Sequence, residues 1–499
     1  MRAEAKSSFG AREVTRRQRS VAAMLTLVVL VIVINLVTMP AEEYIGDAMS
    51  VRVVTAELIN HHRLAVPDEI ATTMGPRGEC FYQNKKGNWY SKYGIANPFI
   101  YLLPMSAEKL FHGETSVPSD DILYLNIFNV ILSGLSALYL FLIAERYSKS
   151  RFIIWIFVLT SLYATFWWNY LRAQTFEIYL TLFVLGLFFH LREILSSSVD
   201  LNKTGHSIAS ALYLSALVLS KTFYLLLVPP IVALLVLVRC FRSRKLYPDR
   251  SLAWFGSLIG LSICVLLVAN CYRFDSPFTS GYGQFEYSIF TGNIFPAIWG
   301  FLVSIQRSMF LYFPVFVFGL AGWPIFWKRY RSEAIAVAGI AFLMFLAVCS
   351  YRNWSGLACY GPRYLLPIAP IVSLPFIFFL ESLSKARTKK WLVNIFLLLV
   401  FGCSLILQLA VNSLPFYFRY DLQDVISGPK ADLAAIYLRS RTSGTINLQL
   451  ISDQLGYSSS FRRVFVHDLT LSELVQLESL KIETRLNYYW FPKRISELQ

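Results

Sequence analysis

The sequence is poor in charge. Only 15% of its 499 residues are Asp, Glu, Lys or Arg, against about 25% in ordinary soluble domains. It also has no ordered cysteine pattern. Seven Cys are scattered along the chain, which excludes a disulfide scaffold, and no set of Cys and His has metal-ligand spacing. A Gly-rich nucleotide-binding loop, an internal repeat and a low-complexity tract are all missing. Acidic residues are scarcer still, 31 against 46 Lys and Arg, for a net charge of +15. Hydrocarbon stands in place of charge: 56% of residues are hydrophobic and 16% aromatic, and mean hydropathy is +0.50. This composition excludes a disordered chain and a string of soluble domains. It reads as an all-α polytopic membrane protein.

Apolar runs of about 20 residues, the length that crosses a bilayer core, fall at 21–39, 122–144, 152–168, 173–190, 252–270, 309–327, 334–350, 364–380 and 391–412. The stretch 207–239 holds Lys221 near its middle and reads as two short spans with a tight turn. The expected count is about 11 transmembrane helices. The run 95–111 contains Pro98, Pro104, Glu108 and Lys109 and reads as a re-entrant or interfacial helix.

Lys and Arg set the expected orientation. Residues 1–20 carry Arg2, Lys6, Arg12, Arg16, Arg17 and Arg19 and form a cytoplasmic basic N-terminus. Alternate loops at 145–151, 191–206, 240–251, 328–333 and 381–390 then face the cytoplasm. With Arg239 counted at its membrane edge, this side holds 23 of the 46 basic residues in about 70 positions. Much of the positive balance is therefore a topology signal, and no nucleic-acid partner is expected. The first span follows a basic region, is about 28 Å long and has a poor cleavage site at Met39-Pro40-Ala41, so it reads as an uncleaved anchor. The expected protein is an integral, multi-pass protein of the plasma (inner) membrane. A transmembrane domain covers 21–412, with 40–121 as the first extracytoplasmic loop. Residues 413–499 form a small C-terminal extracytoplasmic region of mixed structure, with Leu469–Leu480 helical and Thr445–Ile451 a short strand.

Candidate chemistry gathers on the outward side. Asp47 opens a stretch with Val51, Val54, Leu58 and Ile59 on one side and Arg52, Glu57 and Asn60 off it, an amphipathic pattern suited to the membrane interface. As a helix start, Asp47 also fits a simple cap. Lys92 and Tyr93 sit in the Gly87–Gly94 stretch, where a Lys between aromatics is either an interfacial anchor or a contact to a lipid phosphate. Arg172 and Glu177 flank a span start, and an acid within a span pairs or lines a polar cavity. Arg307 and the Arg363-Tyr364 pair lie in Gly-, Pro- and aromatic-rich edges. Singly, each reads as an anchor or turn. Together, Lys92, Arg172, Lys221, Arg307 and Arg363 mark one anionic site, since Arg suits bidentate phosphate binding. Cys80, Cys271 and Cys359 are expected on the same side, with no disulfide specified by spacing. Asn353-Trp354-Ser355 fits a glycosylation sequon, and His61-His62 reads as an interfacial polar pair.

The order of Gly46-Asp47, Tyr90–Gly94, Tyr170–Glu177, Ser276–Gly283, Gly300–Pro314 and Trp354–Pro367 resembles the bacterial polytopic GT-C glycosyltransferases, the superfamily of protein O-mannosyltransferases and the aminoarabinose transferase. The resemblance covers roughly residues 20–412. In such families an acidic residue after the first span is essential, and Asp47 is its counterpart. Many relatives carry a paired acidic motif there, whereas Ala48 follows Asp47. Outward cations hold the phosphate of a polyprenyl-phosphate sugar donor, and Lys92 and Arg363 are the nearest equivalents. The resemblance implies sugar transfer to a glycan, lipid or protein acceptor, with Asp47 catalytic. It implies a substrate site of Lys92, Tyr93, Arg172, Glu177, Lys221, Arg307, Arg363 and Tyr364, within membrane lipids. A divalent cation, Mg or Mn, is the one cofactor to test. Alternatives are a flippase or transporter of lipid-linked saccharide, a surface-polysaccharide polymerase or ligase, and a non-catalytic membrane assembly protein.

Overall fold

The computed structural model describes residues 2–40, 47–73, 80–113, 115, 117, 122–196, 204–243, 250–281, 290, 292–304, 307–352, 354, 355, 359–385 and 390–412. The expectations for the tail 413–499, for Gly46, for Tyr282-Gly283 and for the Asn353 sequon lie outside the described residues. The chain is helical almost throughout, and one small hairpin is its only sheet among the described residues. It is an integral membrane protein. Among the described residues, six helical segments are long and apolar enough to cross a bilayer: Ser20–Val37, Leu123–Glu145, Phe176–Leu195, Arg250–Phe274, Arg331–Ser350 and Trp391–Leu409.

The expected count of about 11 is not reached by such helices, and other apolar runs are divided into shorter pieces for local reasons. The run at 152–168 forms α6 (Arg151–Tyr163) and α7 (Trp167–Arg172). Between them the Thr165 hydroxyl accepts from the Trp167 amide at 3.2 Å and starts a new helix. The run at 309–327 breaks at Phe313, before Pro314, because a residue preceding proline avoids helical geometry. The run at 364–380 is cut by Pro367, Pro370 and Pro375 into a 3-10 turn at Arg363–Leu365, α16 (Ala369–Val372) and α17 (Phe376–Lys385). At Lys221, as expected, the backbone turns extended between α9 (Thr204–Ser220) and a 3-10 helix at Thr222–Leu227.

Helix α1 (Arg2–Val37) runs from the basic N-terminus through the first span and packs on α5 (Leu123–Glu145). Helix α8 (Phe176–Ser196) packs on α9, which packs on α11 (Arg250–Phe274). Small residues let backbones approach, as within bilayers generally; a Cβ at Gly134 would stand 3.0 Å from the Ile32 side chain. Outward-facing positions such as Phe152, Leu398 and Val268 are largely exposed hydrocarbon, as lipid contact requires.

The bundle has two polar ends. At one, loops far apart in sequence meet. Arg146 pairs with Glu193 at 3.1 Å, Ser148 donates to Glu381 at 2.8 Å, and Glu381 pairs with Arg329 at 3.5 Å. These are members of the loops expected to face the cytoplasm. The other end holds the segments expected outside. There α2 (Asp47–His61) and α3 (Asp68–Thr73) precede a hairpin of β1 (Phe81–Gln83) and β2 (Trp89–Ser91), followed by α4 (Ala96–His112). The hairpin pairs Phe81 with Ser91 and Gln83 with Trp89. Helix α4 both starts and finishes at this end. Asn97 meets Tyr179 near the start of α8, and Phe111 stacks on Tyr124 at the start of α5.

Helix α2 differs from the expected interfacial helix. It is covered on both faces, so that Arg52, Thr55 and Glu57 are as buried as Val51 and Val54. The cover comes from α4 and β2, and the Thr55 hydroxyl lies 3.2 Å from the Pro98 carbonyl it donates to. The amphipathic pattern identified the helix but could not show that other elements of the same loop would bury its polar side.

Candidate functional site

The expected site is assembled from four distant pieces of chain. Asp47 is the first residue of α2, and Glu177 lies in the first turn of α8. Lys221 occupies the extended turn after α9, and Arg363 follows Pro362, which forces the chain into a short 3-10 turn. Arg363 joins both acids. Its Nη2 is 3.2 Å from Asp47 Oδ2, and its Nε is 2.8 Å from Glu177 Oε1. Lys221 Nζ is 3.7 Å from the same Glu177 oxygen and 5.2 Å from the centre of the Tyr364 ring. The two acids are not equivalent. Glu177 is only 1% exposed, while Asp47 is 39% exposed. The buried acid anchors the cation; the other stays partly exposed.

Burial alone would push the Asp47 carboxyl up. Arg363, a hydrogen bond from the Tyr93 hydroxyl, Lys221 and Lys92 together outweigh it and hold the carboxyl below its ordinary range. Asp47 is therefore an anion wherever these groups are charged.

Lys92 and Tyr93 are placed by their surroundings. The Asn84 side chain accepts from the amides of Lys86 and Asn88 and closes the hairpin turn, so β2 leads directly into Lys92. Arg273, buried at the end of α11, donates to the Tyr93 carbonyl at 2.7 Å and to the Ser91 carbonyl at 3.3 Å. Just beyond, Gly94 lies against the end of α9. A Cβ there would stand 2.2 Å from the Leu219 carbonyl oxygen and 2.3 Å from that of Ser220. Asn97 completes the joint by donating to the Ser220 carbonyl at 3.0 Å. The Lys92 and Lys221 segments are thereby locked to each other.

The Arg363 segment is held from behind. Tyr170 donates to the Tyr360 carbonyl at 2.8 Å, and Arg307 donates to the Cys359 carbonyl at 2.6 Å. Gly361 has a positive φ of 62°, which a side chain would strain. Arg307 therefore meets the loop before Arg363. Arg172 also lies apart from the Asp47 cluster. It donates to the carbonyls of Thr38 and of Asn412, the latter at 2.5 Å, and ties the end of α1 to that of α18 (Lys390–Asn412). Of the nine residues picked from sequence, the structure brings Asp47, Lys92, Tyr93, Glu177, Lys221, Arg363 and Tyr364 together. Arg172 and Arg307 secure backbone nearby.

Sequence reasoning missed Arg273, Asn97, Gly94 and Tyr170. Gly94 and Tyr170 entered only as ends of longer stretches, and Arg273 and Asn97 had no reading of their own. Their partners in this site are 82 to 190 positions away along the chain, so no local pattern marked them.

The arrangement of helices and broken segments is similar to solved membrane enzymes. It matches the archaeal oligosaccharyltransferase AglB from Archaeoglobus fulgidus, in complex with an inhibitory peptide and a dolichol-phosphate, with a TM-score of 0.52 and 14% identity over 84% of this chain. The chain shares its fold with that oligosaccharyltransferase. This chain spans 60% of the length of that AglB structure. A second GT-C structure, ArnT from Cupriavidus metallidurans bound to undecaprenyl phosphate, gives a TM-score of 0.47 and 14% identity, covering 83% of this chain and 66% of that one. No family model and no curated protein matches the sequence.

A divalent cation fits this site poorly among the described residues. Asp47 and Glu177 are its two carboxylates, both are engaged by Arg363, and Lys221 and Lys92 add like charge to any metal. No group of three His, Cys, Asp or Glu converges among the described residues, and His61 and His62 are exposed, away from any such group. The six described cysteines are free thiols.

Proposed function

We propose that this protein transfers a sugar from a polyprenyl-phosphate-linked donor to an acceptor on the extracytoplasmic face of the membrane. The observation that carries the reading is the bridge at Arg363. An accessible carboxylate, Asp47, is held beside a buried guanidinium that is fixed from behind by Glu177. Such a pair offers a proton acceptor and a phosphate-binding cation within one small volume. The dolichol-phosphate in AglB agrees with a lipid-phosphate donor.

In this reading the acceptor hydroxyl approaches Asp47, which takes its proton as the glycosidic bond breaks. A carboxylate held this acidic is a weak base in the ground state. It needs to accept the proton only as the new bond to the anomeric carbon forms. The leaving group is the lipid phosphate, and its developing charge falls on Arg363, Lys221 and Lys92. Tyr93 and Tyr364 supply aromatic walls, and Tyr93 also orients Asp47 through its hydroxyl. Glu177 keeps Arg363 and Lys221 in place. Arg172 and Arg307 steady the backbone around them. The N-terminus and the end carrying Arg146, Glu193 and Arg329 face the cytoplasm, and the end carrying Asp47 faces outward.

The test is donor turnover. Purified protein is incubated with a panel of polyprenyl-phosphate sugars and a membrane extract as acceptor source, and released polyprenyl phosphate is followed by mass spectrometry. Release with one donor and simultaneous labelling of an acceptor supports transfer. Binding of lipid-linked sugar without release in the presence of the extract contradicts it and points to a flippase.

A further inference from the structure

A second polar site lies at the end of the bundle opposite Asp47. Along α8, Arg192 comes 15 residues after Glu177, which at the helical rise is about 22 Å. Two further helices bound the same place, α14 (Pro314–Arg329) and α15 (Arg331–Ser350). Together they frame an open cleft of about 610 Å³, lined by Arg192, Arg329, Arg331, Glu333, Leu195 and Ile335 among others. Arg192 lies in the last turn of one candidate membrane span and Arg331 begins another. The cleft therefore sits at the level of lipid headgroups.

Its three arginines are held differently. Arg192 is mostly buried, with Nη1 3.0 Å from Glu193 and its guanidinium over the Tyr147 ring at 5.6 Å. Its Nε is buried and makes no hydrogen bond among the described residues. Arg329 has a longer pair, 3.5 Å to Glu381. Arg331 is exposed and makes no ion pair among the described residues; it lies over the Trp327 ring at 5.9 Å. Glu333, the one acid in the lining, is itself buried and bonded by Ser332 at 2.8 Å. Positive charge therefore dominates the open side. Trp327 and the half-exposed Ile335 continue from the cleft onto the hydrocarbon surface. A ligand that fits has an anionic head for the arginine forks and an apolar body along the helices.

We propose that this cleft binds the phosphodiester headgroup of an anionic membrane lipid. Guanidinium groups from three helices clasp the phosphate, while its acyl chains run beside Ile335 and Trp327. The site is separate from the Asp47 cluster and does not depend on the activity proposed for it. Bound lipid would also brace the junction between α14 and α15, where only Tyr330 separates the two helices.

The test uses the full chain purified in detergent and analysed by native mass spectrometry. It is titrated separately with cardiolipin, with phosphatidylcholine and with inorganic phosphate. Three variants are compared with wild type: Arg331→Gln, the double variant R329Q/R331Q, and Arg63→Gln, an exposed charge paired with Glu57 at the other end. Arg331 is exposed and makes no ion pair among the described residues, so its replacement leaves folding intact. The expected result is preferential retention of cardiolipin over phosphatidylcholine, weakened about fivefold for each cleft arginine removed and unchanged in Arg63→Gln. Equal cardiolipin retention by wild type and the double variant overturns the site. Binding of inorganic phosphate without preference for cardiolipin overturns the lipid assignment.

Discussion

Arg363 Nε donates to Glu177 Oε1 over 2.8 Å, and both side chains are buried. The two residues lie 186 positions apart. This contact fixes where the rest of the guanidinium points, toward Asp47 at 3.2 Å. The pairing is costly to break. Removing one partner of a buried ion pair leaves the other desolvated without compensation, which typically costs about 3–5 kcal/mol. Glu177→Gln is expected to lower thermal stability in detergent by that order, because Arg363 and Lys221 both lose their carboxylate. An unchanged unfolding temperature contradicts the anchoring role.

Arg363→Lys keeps the charge and loses the fork. An ammonium is a point donor and cannot hold Glu177 and Asp47 with the same fixed geometry. Turnover is expected to fall by about 10- to 100-fold, since small misplacements of a charge-stabilising group are penalised heavily. Activity within twofold of wild type contradicts the bridge as a catalytic element.

The pH dependence follows from the direction of the Asp47 shift. Its carboxyl is held below the ordinary range, so the anion is present above that lowered value and is lost only as pH falls through it. Wild-type kcat/KM should therefore show no acid limb near the ordinary Asp value of about 3.9 or above. Arg363→Gln removes the largest of the groups holding Asp47 down, so burial then dominates. An acid limb is expected to appear at higher pH in that variant. Superimposable pH profiles contradict the coupling.

Gly94→Ala tests the joint between the Lys92 and Lys221 segments. Its Cβ would meet backbone oxygens at 2.2 and 2.3 Å, and backbone cannot rotate away as a side chain can. The variant is expected to be less stable and to lose turnover through displacement of both lysines. Gly339→Ala is the matched control. A Cβ at Gly339 meets nothing within 4 Å, so its effect should stay within about 0.5 kcal/mol. Equal behaviour of the two variants contradicts the close approach.

Much of this site was legible in the sequence because membranes make polar residues expensive. Glu177 inside an apolar run and Lys221 between two short spans each demanded a partner, and the structure pairs them with each other, with Arg363 as a second partner of Glu177. Asp47 stood out by its position after the first span, a point supplied by resemblance. The six long apolar helices were legible from hydropathy, but the breaks in the other apolar runs were not. The run at 364–380 looks unbroken to an average over 20 residues, yet its prolines divide it into short turns. Arg172 and Arg273 show the other limit. Both are Arg at helix ends; the sequence reading placed Arg172 in the anionic site and did not single out Arg273. Only long-range contacts separate a residue that ties α1 to α18 from one that holds the carbonyls beside Lys92. The burial of Arg52 was hidden for the same reason, since α4 covers it from a later part of the loop.

The central claim is that Asp47 takes the acceptor's proton during transfer from a lipid-phosphate donor. Its most direct measurement compares wild type with Asp47→Asn, after both elute as the same folded species. The two proteins are nearly isosteric, and Asn cannot accept the proton. Release of polyprenyl phosphate from the donor that wild type uses is followed at equal protein concentration. The account predicts a loss of at least about 100-fold in the variant, with donor binding retained through Arg363, Lys221 and Lys92. Equal release by the two proteins contradicts it and moves the chemistry away from Asp47.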